Sequence, residues 1–147
     1  MRGPQSAPPE SVSTPRSKRR FTLAEANRAL PLVSRIVADI VRVHGEAVDL
    51  QSEIAVNSGG SRKMHQALQA RLDDQLARLE DFVDELTEIG CELKDYSVGL
   101  VDFVGRHQGR DVYLCWKLGE PEIGHWHELD AGAAGRQPVR TLREDAK

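Results

Sequence analysis

The chain has 147 residues, 39% of them hydrophobic and 29% charged, a composition typical of one ordinary globular domain. Its formal net charge of −3 argues against a general nucleic-acid binder, which would carry a strongly basic surface. Two cysteines are too few for a disulfide framework, and no apolar run approaches the ~18 residues that a membrane span needs. We therefore expect a cytoplasmic protein that keeps its thiols reduced and does not associate with membranes.

The first twenty residues differ in charge and composition from the rest of the chain. Residues 1–20 have a net charge of +4, whereas residues 21–95 have −6 and residues 96–147 have −1. Because residues 1–20 are rich in Pro and Ser and contain no apolar segment, they predict a disordered basic tail and not a secretory signal. No nucleic-acid binding is expected beyond a weak contact of this tail with an anionic partner.

The first predicted helix begins at a capping box. Thr22 is followed three residues later by Glu25, so the hydroxyl can cap a backbone N–H while the carboxylate reaches back to the cap residue. Pro31 would break or kink a continuous helix, because it lacks an N–H and its ring clashes with the preceding turn. The sequence therefore predicts a short helix over residues 22–29 and a new helix that starts with Pro31 in its first turn.

Two long helices are predicted next. Apolar residues recur at helical spacing from Val33 to Ala55 and again from Met64 to Ile89, with the turn-forming NSGG at residues 57–60 between them and Gly90 as a C-cap. A short connection between long helices predicts an antiparallel hairpin, with coiled-coil-like pairing of the two apolar stripes. Each stripe is longer than the other helix can cover, so we expect a homo-oligomer, such as a dimer, formed through the hairpin.

Beyond Gly90 the apolar period changes to that of strands. Two runs rich in β-branched and aromatic residues, SVGLVDFVG and GRDVYLCWKLG, flank the turn-forming GRHQG, and GHWHEL can form a third strand. The predicted fold is α+β, a long antiparallel helical hairpin with a short N-terminal helix, packed with a small antiparallel sheet of two to three strands. The predicted organisation is a single domain over residues 21–139, with helices at 22–90 and a β portion at 96–130, followed by a charged C-terminal tail at 140–147.

The β portion concentrates the residues that carry chemistry. It contains five of the seven aromatic residues and three of the five histidines: Tyr96, Phe103, Tyr113, Trp116, Trp126, His107, His125 and His127. Strand alternation places Tyr113 and Cys115 on one face and Trp116 on the other. In the next strand His125 and His127 share one face, opposite Trp126. The two histidines could therefore offer two imidazoles to one ion.

A metal site is the most specific hypothesis for this cluster. Imidazole and thiolate suit zinc and related divalent transition metals, and carboxylates complete such sites. The candidate metal ligands are His127, Cys115, Glu120, His125 and Asp102. The competing interpretation is structural, with Cys115 as a small buried residue, Trp116 in the core, and His127 as a buried imidazole bonded to a carboxylate. His107, in the predicted turn, is expected to be exposed.

Asp102 interrupts an apolar strand, and alternation puts it on the face opposite Val101 and Phe103, where it could simply face solvent. If it is buried, its carboxylate needs Arg136, a histidine or a metal as a partner. Together with Glu120 and His127 it could supply the acid and base of a hydrolase or lyase. Arg136, at the end of a Gly-rich loop, could hold an anion or a carboxylate. Candidate ligand-binding residues are Asp102, Trp116, Glu120, Trp126 and Arg136.

Five short sequence motifs, taken in their order along the chain, resemble those of one family. FTLAEANRALP, GLVDF, LCWKLGE, WHELDAG and GRQP, which together cover residues 21–139, are similar to the bacterial family named domain of unknown function 2203. The resemblance implies kinship and no particular chemistry. By motif position it implies a shared role for Asp102, Cys115, Trp116, Glu120, Trp126, His127 and Arg136. His125 lies outside these motifs and His127 lies within one of them, so the resemblance favours His127 over His125 as a metal ligand.

Three functions remain open on the sequence. The first is a ligand- or metal-binding module with its site in residues 102–136. The second is a helical-hairpin module for oligomerisation or protein interaction, without a catalytic site. The third is a small metal-dependent hydrolase or lyase, so the sequence leaves open whether the protein is an enzyme. The absence of a known catalytic motif favours a module, and the clustering of His, Cys, Trp and acidic residues favours a site.

Overall fold

A computed structural model describes residues 19–57 and 59–145. The predicted disordered tail lies outside the described residues except for Arg19 and Arg20. Arg20 donates two hydrogen bonds to the Asp111 carboxylate, each 2.9 Å long. Within the described part of the chain, no helix combines the length and the apolarity needed to cross a membrane.

The helical half of the molecule is a hairpin of two long helices, α1 (Leu23–Val56) and α2 (Arg62–Ile89). The predicted capping box is present: the Thr22 hydroxyl accepts from the Glu25 N–H, and the Glu25 carboxylate accepts from the Thr22 N–H. Gly90 ends α2 with a left-handed φ of 112°, a conformation that glycine adopts without strain. The prediction of a long helical hairpin is confirmed.

The prediction of a separate N-terminal helix is wrong, because α1 runs through Pro31 without interruption. An interior proline costs about 3 kcal/mol through one lost hydrogen bond and a steric clash. This cost is offset by packing, since Ala26, Leu30 and Val33 on either side of the proline are all buried in the main core. The apolar stripe keeps helical spacing across the proline, and its burial outweighs the local preference for a break.

The second half is an antiparallel sheet of five strands in sequential order, so the prediction of two to three strands is wrong. The strands are β1 (Cys91–Asp95), β2 (Leu100–His107), β3 (Arg110–Lys117), β4 (His125–Glu128) and β5 (Gln137–Pro138). The three predicted strands correspond to β2, β3 and β4. The missed β1 has the sequence CELKD, whose acidic and Lys residues are poor strand formers, and the missed β5 has two residues. Both strands depend on pairing with a neighbour and not on their own sequence.

The β2–β3 turn is tighter than predicted. Gln108 and Gly109 form it with φ values of 51° and 81°, the positive values of a two-residue hairpin turn. As a result β2 extends to His107, which is buried and not exposed as expected. The His107 ring stacks on Trp126 at a centroid distance of 4.3 Å, and its Nδ1 accepts the Arg143 N–H at 3.0 Å.

The two faces of the sheet have different environments. One face joins the helices in the main core, which includes Val101, Phe103, Leu114, Trp116 and Trp126 together with Val33, Val37, Ile40 and Leu86. The opposite face carries the alternate residues of the same strands, among them Asp102, Cys115 and His127, which are buried as well. Polar and nucleophilic side chains are thus collected on the sheet face that points away from the helices.

Candidate metal centre

Strand register brings Asp102, Cys115 and His127 together from three neighbouring strands. Asp102 of β2 lies opposite Cys115 of β3. On β4, His127 lies opposite Tyr113, two residues from Cys115 along β3. Antiparallel partners and residues two apart share one face of a sheet, so all three side chains point the same way. The faces predicted from strand alternation for β3 and β4 are those that the structure has.

The core of the site is a buried pair between Asp102 and His127. The His127 Nε2 lies 3.2 Å from Asp102 Oδ2 and 3.3 Å from Oδ1, and each residue is only 2% exposed. The other ring nitrogen, Nδ1, lies 2.8 Å from the backbone carbonyl oxygen of Glu128. Because a carbonyl only accepts, Nδ1 must carry a hydrogen, and in the neutral ring the lone pair is on Nε2. That lone pair is directed at the Asp102 carboxylate.

The same contacts control the protonation of His127. Burial by itself lowers the pKa of His127, but the hydrogen bond and the negative charge of Asp102, helped by the Glu128 carbonyl, raise it above the ordinary value. A positive charge between the lone pair and the carboxylate is therefore favoured. A proton supplies that charge in one state of the protein, and a metal cation could supply it in another.

Cys115 is buried beside this pair and is held as a neutral thiol. Desolvation, followed by the charge of Asp102, raises the pKa of Cys115 to about 12, although the positive charge of Arg136 acts in the opposite direction. Both ring nitrogens of His127 are engaged elsewhere, by Asp102 and by Glu128. This differs from a cysteine nucleophile, whose pKa is lowered by a histidine that accepts its proton.

Asp102, Cys115 and His127 lie close enough together for all three to reach one ion. One ligand atom from each of Asp102, Cys115 and His127 lies within 4.8 Å of the others, and all three residues are buried. A carboxylate oxygen, a thiolate sulfur and an imidazole nitrogen form a donor set that suits zinc. The Nδ1–H bond to a backbone carbonyl is the arrangement that fixes the tautomer and orientation of metal-binding histidines in known sites.

Glu120 and Arg136 form an ion pair whose charges act on Cys115. Arg136 Nη2 donates to both carboxylate oxygens of Glu120 at 3.0 Å, and Glu120 Oε1 also accepts the Lys117 N–H at 2.9 Å. Both charges act on the pKa of Cys115, Arg136 lowering it and Glu120 raising it. Arg136 Nε is buried and has no hydrogen-bond partner among the described residues.

His125 lies on the same face as His127 but outside the three-residue cluster. Its register partner is Cys115, so it flanks the thiol on the side opposite Asp102. Its Nδ1 is buried without a hydrogen-bond partner in the described part of the chain.

The two candidate tryptophans are on the other face of the sheet. Trp116 and Trp126 belong to the core against the helices. Trp116 Nε1 donates to the Glu120 carbonyl and Trp126 Nε1 to the Thr141 hydroxyl, each at 2.9 Å. They hold the loops that follow β3 and β5, and they do not line the cluster of Asp102, Cys115 and His127, the candidate metal-ligand cluster.

Sequence reasoning missed two neighbours of His127. The orienting Glu128 acceptor is a backbone carbonyl, for which no side-chain signal exists. Tyr113 packs beside the imidazole at a ring-centroid distance of 5.4 Å, and its hydroxyl lies 3.2 Å from Glu92 Oε1. Its position on the Cys115 face was visible from alternation, but its contact with His127 depends on the register between β3 and β4.

Comparison with known proteins gives a family but no chemistry. Residues 19–139 match the family described as an uncharacterized conserved protein, DUF2203, and the chain belongs to that family. No curated protein and no solved structure matches the chain.

Proposed function

We propose that this member of the family is a metal-binding protein that holds one zinc-like divalent ion with Asp102, Cys115 and His127. The observation that carries the proposal is the His127 tautomer. Its Nδ1–H is committed to the Glu128 carbonyl, so that Nε2 presents a lone pair to a buried carboxylate with a thiol beside it. Two electron-rich groups that face each other in a buried site need a positive charge between them, which a proton or a metal ion can supply.

Metal binding would also change the chemistry of Cys115. A coordinated thiol loses its proton outright, whereas burial without metal keeps this thiol neutral. Zinc could supply the positive charge between Asp102 and His127 in place of a proton, with the Cys115 thiolate as its third ligand. A purely structural role accounts for the same burial, since the neutral Cys115 thiol hydrogen-bonds to Asp102 and Asp102 pairs with His127. The metal-binding proposal differs from it in requiring a cysteine thiolate and a bound ion.

Zinc affinity is expected to increase with pH, because binding displaces protons. The Cys115 thiol gives up one proton, and below the raised pKa of His127 a second proton leaves the imidazole. The dissociation constant should therefore fall roughly 100-fold per pH unit where His127 is protonated and roughly tenfold per unit above its pKa. Titration against a chromophoric chelator between pH 6 and 8 measures this slope.

The matched control for this experiment is Cys115→Ser, which should bind zinc more weakly and with a slope smaller by about one proton. A zinc affinity that does not change with pH in the wild-type protein would contradict the ligand set, since no ligand would then be losing a proton.

The hydrolase or lyase hypothesis has less support from the geometry. Its proposed acid and base groups are already bonded: Asp102 and His127 to each other, and Glu120 to Arg136 and to the Lys117 N–H. Such an enzyme would need a metal-bound water at an open coordination position.

We propose as a second function that two chains associate through the part of the hairpin distant from the sheet. Four large apolar side chains there are exposed: Val48 by 44%, Val56 by 86%, Met64 by 50% and Leu76 by 44%. The same part of the hairpin has a small separate core of Ala47, Leu50, Leu68 and Leu72, and Val56 and Met64 line one surface pocket there. Exposed apolar residues on one region of a helical surface favour association.

If this is correct, light scattering at tens of micromolar should give the mass of a dimer, and Leu76→Glu should convert it to a monomer. Leu32→Glu is the control, because Leu32 is 48% exposed but lies at the sheet end of α1. A wild-type monomer under these conditions would rule out the second proposal and leave the metal-binding proposal unaffected.

A further inference from the structure

The three ligands Asp102, Cys115 and His127 leave a fourth tetrahedral position to be filled, and His125 is placed to fill it. Asp102, Cys115 and His125 occupy one row across β2, β3 and β4, through the register pairs Asp102–Cys115 and Cys115–His125. Directly paired residues in antiparallel strands have Cβ atoms about 4.5–5.5 Å apart. His125 therefore flanks Cys115 directly, on the side opposite Asp102.

His125 also has an unused ligand atom. Its Nδ1 is buried and has no hydrogen-bond partner within residues 19–57 and 59–145. An unsatisfied buried nitrogen is unfavourable, and such groups in native proteins usually mark an ion, a water or a functional role. Coordination of a metal would satisfy this nitrogen.

The other candidate for the fourth position is Glu120, and its existing bonds count against it. Its carboxylate accepts two hydrogen bonds from Arg136 and one from the Lys117 N–H. To reach a metal it would have to leave Arg136 unpaired. A fourth ligand with a negative charge would also give the zinc site a net charge of −1, which is costly in a buried position. A neutral imidazole keeps the site neutral, with one thiolate and one carboxylate balancing the two charges of zinc.

We propose that His125 rotates into the site and becomes the fourth ligand, so that the ion is enclosed by Asp102, Cys115, His125 and His127. This inference rests on the metal-binding proposal and deepens it. Four protein ligands with no coordinated water define a closed zinc site, which holds its ion for structure or regulation and not for hydrolysis. Such a site would link β2, β3 and β4 through one ion.

The test uses Co²⁺, whose visible absorption reports its coordination, in the full-length protein. The wild-type Co²⁺ spectrum should not change when azide or imidazole is added, because no position is open. His125→Ala should bind Co²⁺ at least tenfold more weakly. Added imidazole should enter the vacated position and restore a spectrum like that of the wild type. His65→Ala, which removes an exposed histidine from α2, should behave as the wild type does.

A wild-type spectrum that shifts with azide, or a His125→Ala spectrum equal to that of the wild type, would overturn the closed site while leaving the metal-binding proposal in place. Failure of the wild type to bind Co²⁺ or zinc would overturn both. If His125→Ala does not fold, X-ray absorption of the zinc-loaded wild type decides the question. Two coordinated imidazoles support the proposal and one overturns it.

Discussion

Asp102→Asn is expected to lower zinc affinity by at least ~100-fold while leaving the metal-free protein folded. Mutation of an outer-shell partner of a ligand typically lowers metal affinity 10–100-fold, and the loss of a direct ligand should lower it further. Asparagine has the shape of aspartate but lacks its negative charge. In the metal-free protein the new amide can donate to the Nε2 lone pair of His127, since Nδ1 remains bonded to Glu128. The buried hydrogen bond is thereby retained, and only the anionic ligand is lost.

For the same variant we also predict how its free energy of unfolding, relative to that of the wild type, depends on pH. In the wild type the pKa of His127 is raised, so its charged form stabilises the fold at pH values below the unfolded-state pKa of about 6.5, and this contribution is lost as pH rises through the folded-state pKa. Asp102→Asn removes the partner of that charge. Its free energy of unfolding should therefore begin to fall behind that of the wild type above pH 6.5, as the pH decreases through the raised folded-state pKa of His127, and the deficit should persist below about 6.5.

Asp111→Asn is the matched control for Asp102→Asn. Asp111 is also a strand carboxylate in ion pairs, with Arg20 and Arg106, but it lies outside the metal-ligand cluster. Isothermal titration should show unchanged zinc affinity for Asp111→Asn and a large loss for Asp102→Asn. Equal zinc affinity for Asp102→Asn and the wild type would exclude Asp102 as a ligand.

Zinc is expected to stabilise the folded protein strongly. A ligand that binds only the native state at 1,000 times its dissociation constant adds about 4 kcal/mol to the free energy of unfolding. For a domain of this size that corresponds to an increase in Tm of roughly 10–20 °C. Differential scanning calorimetry with and without zinc measures this shift.

His127→Ala should abolish the zinc-dependent increase in Tm, and it should also lower the Tm of the metal-free protein because the Asp102 carboxylate is then buried without its partner. Cys91→Ala separates packing from metal binding. Cys91 is buried and its pKa is raised to about 12 by desolvation, but it lies outside the metal-ligand cluster. That variant should start from a lower Tm and still gain the full zinc shift, and a lost shift would contradict the assignment.

The sequence predicted the helices well because their signals are local. The Thr22–Glu25 capping box and the Gly90 cap were readable from single residues and their spacing. The error at Pro31 shows the limit of that reasoning. A local preference worth about 3 kcal/mol was overridden by burial of the stripe against the sheet, which depends on residues far away in the sequence.

The sequence predicted which side chains of one strand share a face of the sheet, but not which side chains of different strands are in contact. Alternation placed Cys115 opposite Trp116 within one strand and His127 opposite Trp126 within the next, but it did not show that Cys115 and His127 share a face. The meeting of Asp102 with His127 depends on how β2, β3 and β4 are registered, and that register is set by pairing between strands. The role of the Glu128 carbonyl could not be predicted, because every residue has such a group.

The most direct test of the metal-binding proposal is elemental analysis of the wild-type protein, purified without a histidine tag and without chelator. We expect about one zinc or similar divalent transition metal per chain, with the metal absent from His127→Ala. A metal-free protein that has full thermal stability and takes up no added zinc would contradict the proposal. Asp102, Cys115 and His127 would then form a bonded structural cluster on the sheet.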